Sequence, residues 1–240
     1  MSDETADTFF NGRLTVYQAA EGYRFSIDAV LLAAIPTPKS GETVVDIGTG
    51  CGIIPILLAY RYPNIQVVGL ELQPELAAIA EKNVAANGLQ HRIAIINTDA
   101  RSFAQDRLGG PVEWVVSNPP YRSADSGRIN PNCQRALARH EIHLTLKELL
   151  SATRRILKTG GRFATIYPVD RTVDLFYEMR AAGIEPKWMQ SIHSRAGEKA
   201  KLVLVQGSMQ GKPGMKVAPP LIVYQENGDY TDAVSRLMGP

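Results

Sequence analysis

Ser117-Asn118-Pro119-Pro120-Tyr121 closes the apolar run Val112 to Val116 and is an unusual way to end a strand. Two adjacent prolines fix the backbone and remove two N–H donors. The corner therefore mainly accepts hydrogen bonds, and its natural visitor is a group that donates them. Upstream, Asp46-Ile47-Gly48-Thr49-Gly50-Cys51-Gly52 places three glycines at alternate positions behind an acid. Gly48, Gly50 and Gly52 permit tight turns and a close approach of ligand to backbone that a Cβ would obstruct. Their spacing is Gly-x-Gly-x-Gly, one residue short of the dinucleotide fingerprint Gly-x-Gly-x-x-Gly, which counts against NAD. About 20 residues past this turn stands Glu71, where an acid can accept both hydroxyls of a ribose. Asp99, followed by Ala100, is placed to accept a hydrogen bond from an adenine amino group. Each acid alone is equally well a solvated strand end. A glycine turn, Glu71, Asp99 and the Asn-Pro-Pro-Tyr corner at four successive strand ends together point to a nucleoside ligand.

The elements that must position these residues alternate between strand and helix. TVVDIG (43–48) reads as a buried strand, IIPILLAYRY (53–62) as an apolar helix and QVVGLEL (66–72) as the next strand. PELAAIAEKNVAANG (74–88) has Pro in its first turn and Asn-Gly at its stop, as a helix should. Strands follow at 92–99 and 112–118, a helix over roughly 141–157, a turn KTGG at 158–161, a strand at 162–168 and a helix over about 170–182. Two last strands fit near 186–193 and 201–208. This order predicts an α/β fold, a doubly wound, mostly parallel seven-stranded sheet with helices on both faces and its last strand antiparallel. In such a sheet ligands bind at the carboxyl ends of the strands, where all four motifs fall. Residues 1–42 form a lead-in containing a capped helix at 24–35, residues 43–210 the main domain and 211–240 a tail of the same domain.

With 240 residues the chain is long enough for one substantial core. No apolar stretch approaches the ~18 residues of a membrane span. The first ten residues are acidic and lack the features of a signal peptide, so the expected location is the cytoplasm. Cys51 and Cys133 form no Cys-x-x-Cys pattern, and His140 and His143 have no further ligands, so no metal is expected. A net charge of +2 is too mild to prove nucleic-acid binding. Its distribution is more telling: Arg122, Arg128, Arg135 and Arg139 stand against one acid, Asp125. Such a segment beside the corner would bind phosphates or else be a solvated loop. Arg195, Lys199 and Lys201 would extend the basic surface or simply flank a solvated turn.

The series DIGTGCG, Glu71, Asp99 and SNPPY resembles the class I S-adenosylmethionine-dependent methyltransferases, in the branch that methylates exocyclic or amide nitrogens. With YRFSIDAVLLA, RALARHE and APPLIVYQENGDYTDAV, the chain is similar to the bacterial tRNA1(Val) adenine-37 N6-methyltransferase family. The resemblance implies S-adenosylmethionine as cofactor, with the lead-in 1–42 packing on its cleft, Asp28 near its methionine part or closing the pocket, and Asp46, the three glycines, Glu71, Asp99, Ala100 and Asn118 around it. It implies an adenine of a tRNA anticodon loop as substrate. Asn118 and Pro119 would each accept one hydrogen of its amine, Pro120 would stiffen the corner, Tyr121 would stack on the base and the four arginines would meet the RNA. A glutamine side-chain amide offers the same geometry, so a protein-glutamine methyltransferase is an alternative, as is an rRNA guanine-N2 or DNA adenine enzyme. A binding module that lost the chemistry is the alternative outside enzymes.

Overall fold

The structure, a computed structural model, describes residues 4–19, 27–119 and 144–238. Seven long strands carry the fold: β3 (Thr43–Ile47), β4 (Gln66–Glu71), β5 (Ile93–Asn97), β6 (Val112–Ser117), β7 (Leu157–Pro168), β8 (Ile184–His193) and β9 (Ala200–Met209). They lie in the order β8-β9-β7-β6-β3-β4-β5. Neighbours from β7 to β5 are parallel, and β9 runs antiparallel to both β7 and β8. Two further strands of two residues each, β10 (Lys216–Val217) and β11 (Leu221–Ile222), join β8 and bring the sheet to nine. The chain winds outward in opposite directions from β3 and β6. The crevice between their carboxyl ends is the switch point where such sheets bind ligands.

Alternation along the strands divides the core between the two faces. Val44, Trp114, Val116, Ala164, Ile166 and Leu204 point to one face, where α1 (Ile27–Leu32), α2 (Ile53–Arg61) and α3 (Pro74–Ala86) pack. Val45, Ile47, Val115, Phe163, Val203 and Val205 point to the other, against α4 (Leu146–Ile156) and α5 (Thr172–Ala181). Helix α4 starts on a reciprocal cap in which the Thr145 hydroxyl takes the Glu148 N–H and Glu148 takes the Thr145 N–H.

Two segments differ from the sequence reading. Lys158-Thr159-Gly160-Gly161 is no separate turn: β7 begins at Leu157 straight from the helix, and an irregularity opposite Val112 to Trp114 absorbs the extra residues. The lead-in holds a hairpin, β1 (Glu4–Phe9) and β2 (Leu14–Ala19), before a helix that ends at Leu32 instead of at residue 35. Its turn runs through positive φ at Phe10, Asn11 and Gly12. On β2 Leu14, Val16 and Gln18 are buried, and a buried glutamine in so short a strand hides the alternation. Helix α6 (Asp232–Met238) ends the described chain. No helix among the described residues is long and apolar enough to cross a membrane.

Candidate active site

Directly after β3 the chain turns through Gly48, Gly50 and Gly52, at φ 76°, 58° and 83°. A side chain at Gly52 would put its Cβ 3.2 Å from that of Ala80, so the turn sits flush on α3. Gly69 in β4 meets the other side of the turn: a Cβ there would lie 2.8 Å from Thr49 Cγ2 and 2.9 Å from Ile95 Cδ1. The turn is thus recessed into the sheet. The N–H groups of Gly48 and Thr49 bond the Leu70 carbonyl at 2.9 and 3.0 Å. Glu71, 5% exposed, accepts the Gly50 N–H at 2.9 Å with one oxygen and the Gln73 N–H at 2.9 Å with the other. A carboxylate oxygen takes two hydrogen bonds, so each keeps capacity for one more donor, as a ribose diol requires.

Asp46 is fully buried beside the Thr49 hydroxyl, and among the described residues neither of its oxygens nor that hydroxyl has a hydrogen-bond partner of good geometry. Burial pushes this carboxyl up to about 7; the nearby Thr49 hydroxyl works against the rise and the Glu71 charge adds to it. Buried polar atoms without partners are costly and mark a place meant for a donor. Around the position a Cβ on Gly48 would take, no described residue stands within 4 Å. Space beside Gly48, unpaired acceptors beneath the turn and a half-used acid beside it fit S-adenosylmethionine, which carries an ammonium and a ribose diol. Burial pushes the Cys51 thiol up to about 12, so it stays protonated and is no nucleophile.

Asp99 is clamped by Arg101, whose Nε and Nη2 reach its carboxylate at 2.9 and 2.6 Å, which holds it below the usual carboxylate range. Arg101 Nη1 also lies 3.7 Å from Glu148 Oε1, and Arg155 donates to the carbonyls of Ala100 and Arg101 at 2.9 and 2.7 Å. Helix α4 therefore holds the end of β5.

At the other side of the switch point, Asn118 is half-buried and Pro119 buried. Asp46 pairs with Val116, so the glycine turn and Asn118 leave neighbouring strand ends side by side. Cross-strand hydroxyls fix the residue before Asn118. Ser117 Oγ donates to the Ile47 carbonyl at 2.8 Å, and Thr165 Oγ1 donates to the Ser117 carbonyl at 2.9 Å.

The structure thus gathers Asp46, Gly48, Gly50, Gly52, Glu71, Asn118 and Pro119 at the switch point, with Asp99 and Ala100 two strands further out. Asp28 opens α1, half-buried. Pro120, Tyr121, Arg122, Arg128, Arg135, Arg139, His140 and His143 lie outside the described residues. Arg195 and Lys199 on the β8–β9 turn and Lys201 near the start of β9, all exposed, stand at the ligand end of the sheet. Sequence reasoning did not single out Thr49, Ser117, Thr165 or Asn83. Among the described residues no group of three or more His, Cys, Asp or Glu could hold a metal ion.

A sheet wound in this order, with its glycine turn and ribose-type acid at the switch point, is the frame of the class I S-adenosylmethionine-dependent methyltransferases. Among solved structures, a predicted O-methyltransferase from Agrobacterium tumefaciens superposes with a TM-score of 0.70 at 22% identity, over 88% of this chain and 94% of that one. The methyltransferase small domain family matches residues 27–170, more than half of the chain, and the chain belongs to that family. A tRNA1(Val) (adenine(37)-N6)-methyltransferase from Porphyromonas gingivalis is 36% identical over 70% of this chain and 68% of its own length. One of the same name from Erwinia tasmaniensis is 31% identical over 88% of this chain and 84% of its own.

Proposed function

We propose that this methyltransferase acts on N6 of adenine 37 in tRNA1(Val), in the cytoplasm. The observation that carries the reading is the placement of Asn118 and Pro119 beside the glycine turn, on adjoining strand ends. The names of its relatives from Porphyromonas gingivalis and Erwinia tasmaniensis support the choice of substrate.

S-adenosylmethionine, when bound, supplies a methyl group on a positively charged sulfur; Glu71 would hold its ribose, Asp46 its ammonium and Asp99 with Ala100 its adenine. The chain's own task is to hold a poor nucleophile. An exocyclic amine shares its lone pair with the ring. With one hydrogen on the Asn118 side-chain oxygen and the other on the Pro119 carbonyl, the nitrogen is fixed and its lone pair turns towards the cofactor side. Such positioning and electrostatics contribute several kcal/mol without a strong base, since the nitrogen becomes acidic as it is methylated. On the sequence motif, Tyr121 stacks on the base and Arg122, Arg128, Arg135 and Arg139 meet phosphates.

Methyl transfer into unmodified tRNA, ribosomal RNA and protein release factors, offered separately with products identified by mass, tests the substrate. N6-methyladenosine in tRNA alone is expected, and label in glutamine would replace the partner. Asn118→Ala should lower turnover by about 10²–10³-fold, the scale for losing one preorganised transition-state contact. Cofactor affinity should stay within about twofold. Turnover at the parent rate would remove Asn118 from the chemistry.

A further inference from the structure

Helix α3 carries Ala80 and Asn83 on one side and is capped by Asn87, at spacings of three and four residues. Ala80 lies under the glycine turn at Gly52. One turn further, Asn83 is completely buried. Its Oδ1 accepts the Tyr17 N–H at 2.7 Å, while its Nδ2 donates to the Tyr17 carbonyl at 2.9 Å and to the Cys51 carbonyl at 2.8 Å. Both hydrogens of the amide are used, one on the hairpin and one on the glycine turn. Asn87 makes the same two-way clasp on Thr15, at 3.0 and 2.7 Å, but its Nδ2 otherwise bonds the Asn83 carbonyl and does not reach the turn. The two carboxamides stand in for a neighbouring strand along the open edge of β2. The Lys82 ammonium, 4.5 Å from the Tyr17 ring centre, adds to the hold.

We propose that the N-terminal hairpin is a working part of the cofactor site and that Asn83 is the positioning residue coupling it to the glycine turn. The inference rests on the reading of Gly48 to Gly52 as the cofactor turn. Fixing the Cys51 carbonyl sets the peptide between Cys51 and Gly52, and with it the shape of the turn. A turn already shaped for its ligand spends less of the binding free energy on ordering. Coupling of this kind is reciprocal: if a docked hairpin strengthens cofactor binding, bound cofactor must strengthen hairpin docking by the same factor.

The test is calorimetric binding of S-adenosylhomocysteine to the full chain, unaltered and as Asn83→Ala or Asn87→Ala. Asn83→Ala should weaken binding about tenfold, the scale of one buried hydrogen bond lost. Asn87→Ala removes the Thr15 clasp but leaves the Asn83 clasp that docks the hairpin and meets the turn, so its Kd should stay within about twofold even if its Tm falls as far as that of Asn83→Ala. With cofactor saturating, the KM for tRNA should be unchanged in both. Equal weakening by the two variants, or none by Asn83→Ala, overturns the proposal. Should Asn83→Ala not fold, hydrogen exchange on the unaltered protein decides: the cofactor analogue should slow exchange at the Tyr17 amide more than at the Thr15 amide, and equal or absent protection overturns it. An unaltered protein that does not bind the analogue at all would instead overturn the reading of the turn.

Discussion

At the carboxyl ends of β3 and β4 the polar side chains are buried and short of partners, whereas Ser117 at the end of β6 and Thr165 opposite it in β7 are equally buried and bonded. Among the described residues the Asp46 oxygens and the Thr49 hydroxyl have no hydrogen-bond partner of good geometry, and Glu71 bonds the backbone N–H groups of Gly50 and Gln73. One strand over, the Ser117 hydroxyl and the Ser117 carbonyl are both engaged, by Ile47 and Thr165. The same low-dielectric surroundings make an unpaired group costly and a paired one rigid. The first half is thus built to gain partners from a ligand. The second is built to keep Asn118 and Pro119 still before any ligand arrives, because a substrate amine is activated by where its hydrogens are held.

This contrast breaks most visibly at Glu71. Glu71→Ala removes the ribose acceptors and frees the Gly50 and Gln73 N–H groups together. Hydrogen bonds to a charged group are worth roughly 1.5–3 kcal/mol, so cofactor affinity should fall about 100-fold in a calorimetric titration. Turnover at saturating cofactor should change far less. A comparable loss in both quantities would mean that the two halves are not separate devices.

Thr165→Val sharpens the other side. The substitution keeps the shape of a side chain that is 1% exposed and removes only the hydroxyl, taking from the buried Ser117 carbonyl the hydrogen bond that Thr165 donates. A buried group stripped of its partner costs roughly 1–3 kcal/mol, part of it relieved by movement of the strand end. That movement displaces Asn118, so kcat should drop about tenfold with cofactor Kd unchanged. A fall in Tm without a fall in kcat would leave Thr165 a purely structural residue.

Both halves were legible in sequence to different depths. The glycine turn, Glu71 and the Asn-Pro corner could be read because each lies on one short stretch, and the strand ends could be placed by alternation. The seven long strands followed from the same signal. What could not be read was contact between distant stretches: Ser117 with Ile47 and Thr165, Arg155 with Ala100, Asn83 with Tyr17 and Cys51. Asn83 in NVAANG looks like any polar residue near a helix stop, because its burial comes from a hairpin about 66 residues away. The hairpin itself escaped notice since its inward face mixes Leu14 and Val16 with Gln18, and its turn uses Phe10 and Asn11 at positive φ ahead of Gly12.

The smallest effect, and the one that most directly tests whether the first half waits for a cation, is the pH response of Asp46. Its carboxyl is raised from 3.8 to about 7 by burial, so between those values the folded protein holds a proton that the unfolded chain has lost. The contribution of Asp46 to the stability of the ligand-free protein should therefore be complete below about 4, fall as pH rises towards 7 and level off above it, opposite in sign to that of the depressed Asp99. A cofactor ammonium beside Asp46 favours the ionised carboxylate and reverses the dependence for binding. Affinity should climb several-fold from pH 6 to pH 8, with a proton released on binding at the lower pH. The Cys51 thiol, pushed up to about 12, contributes nothing in this range. Asp46→Asn should flatten both profiles. If it flattens the stability profile but leaves the binding profile intact, Asp46 is a buried acid of the fold and the cation is held elsewhere.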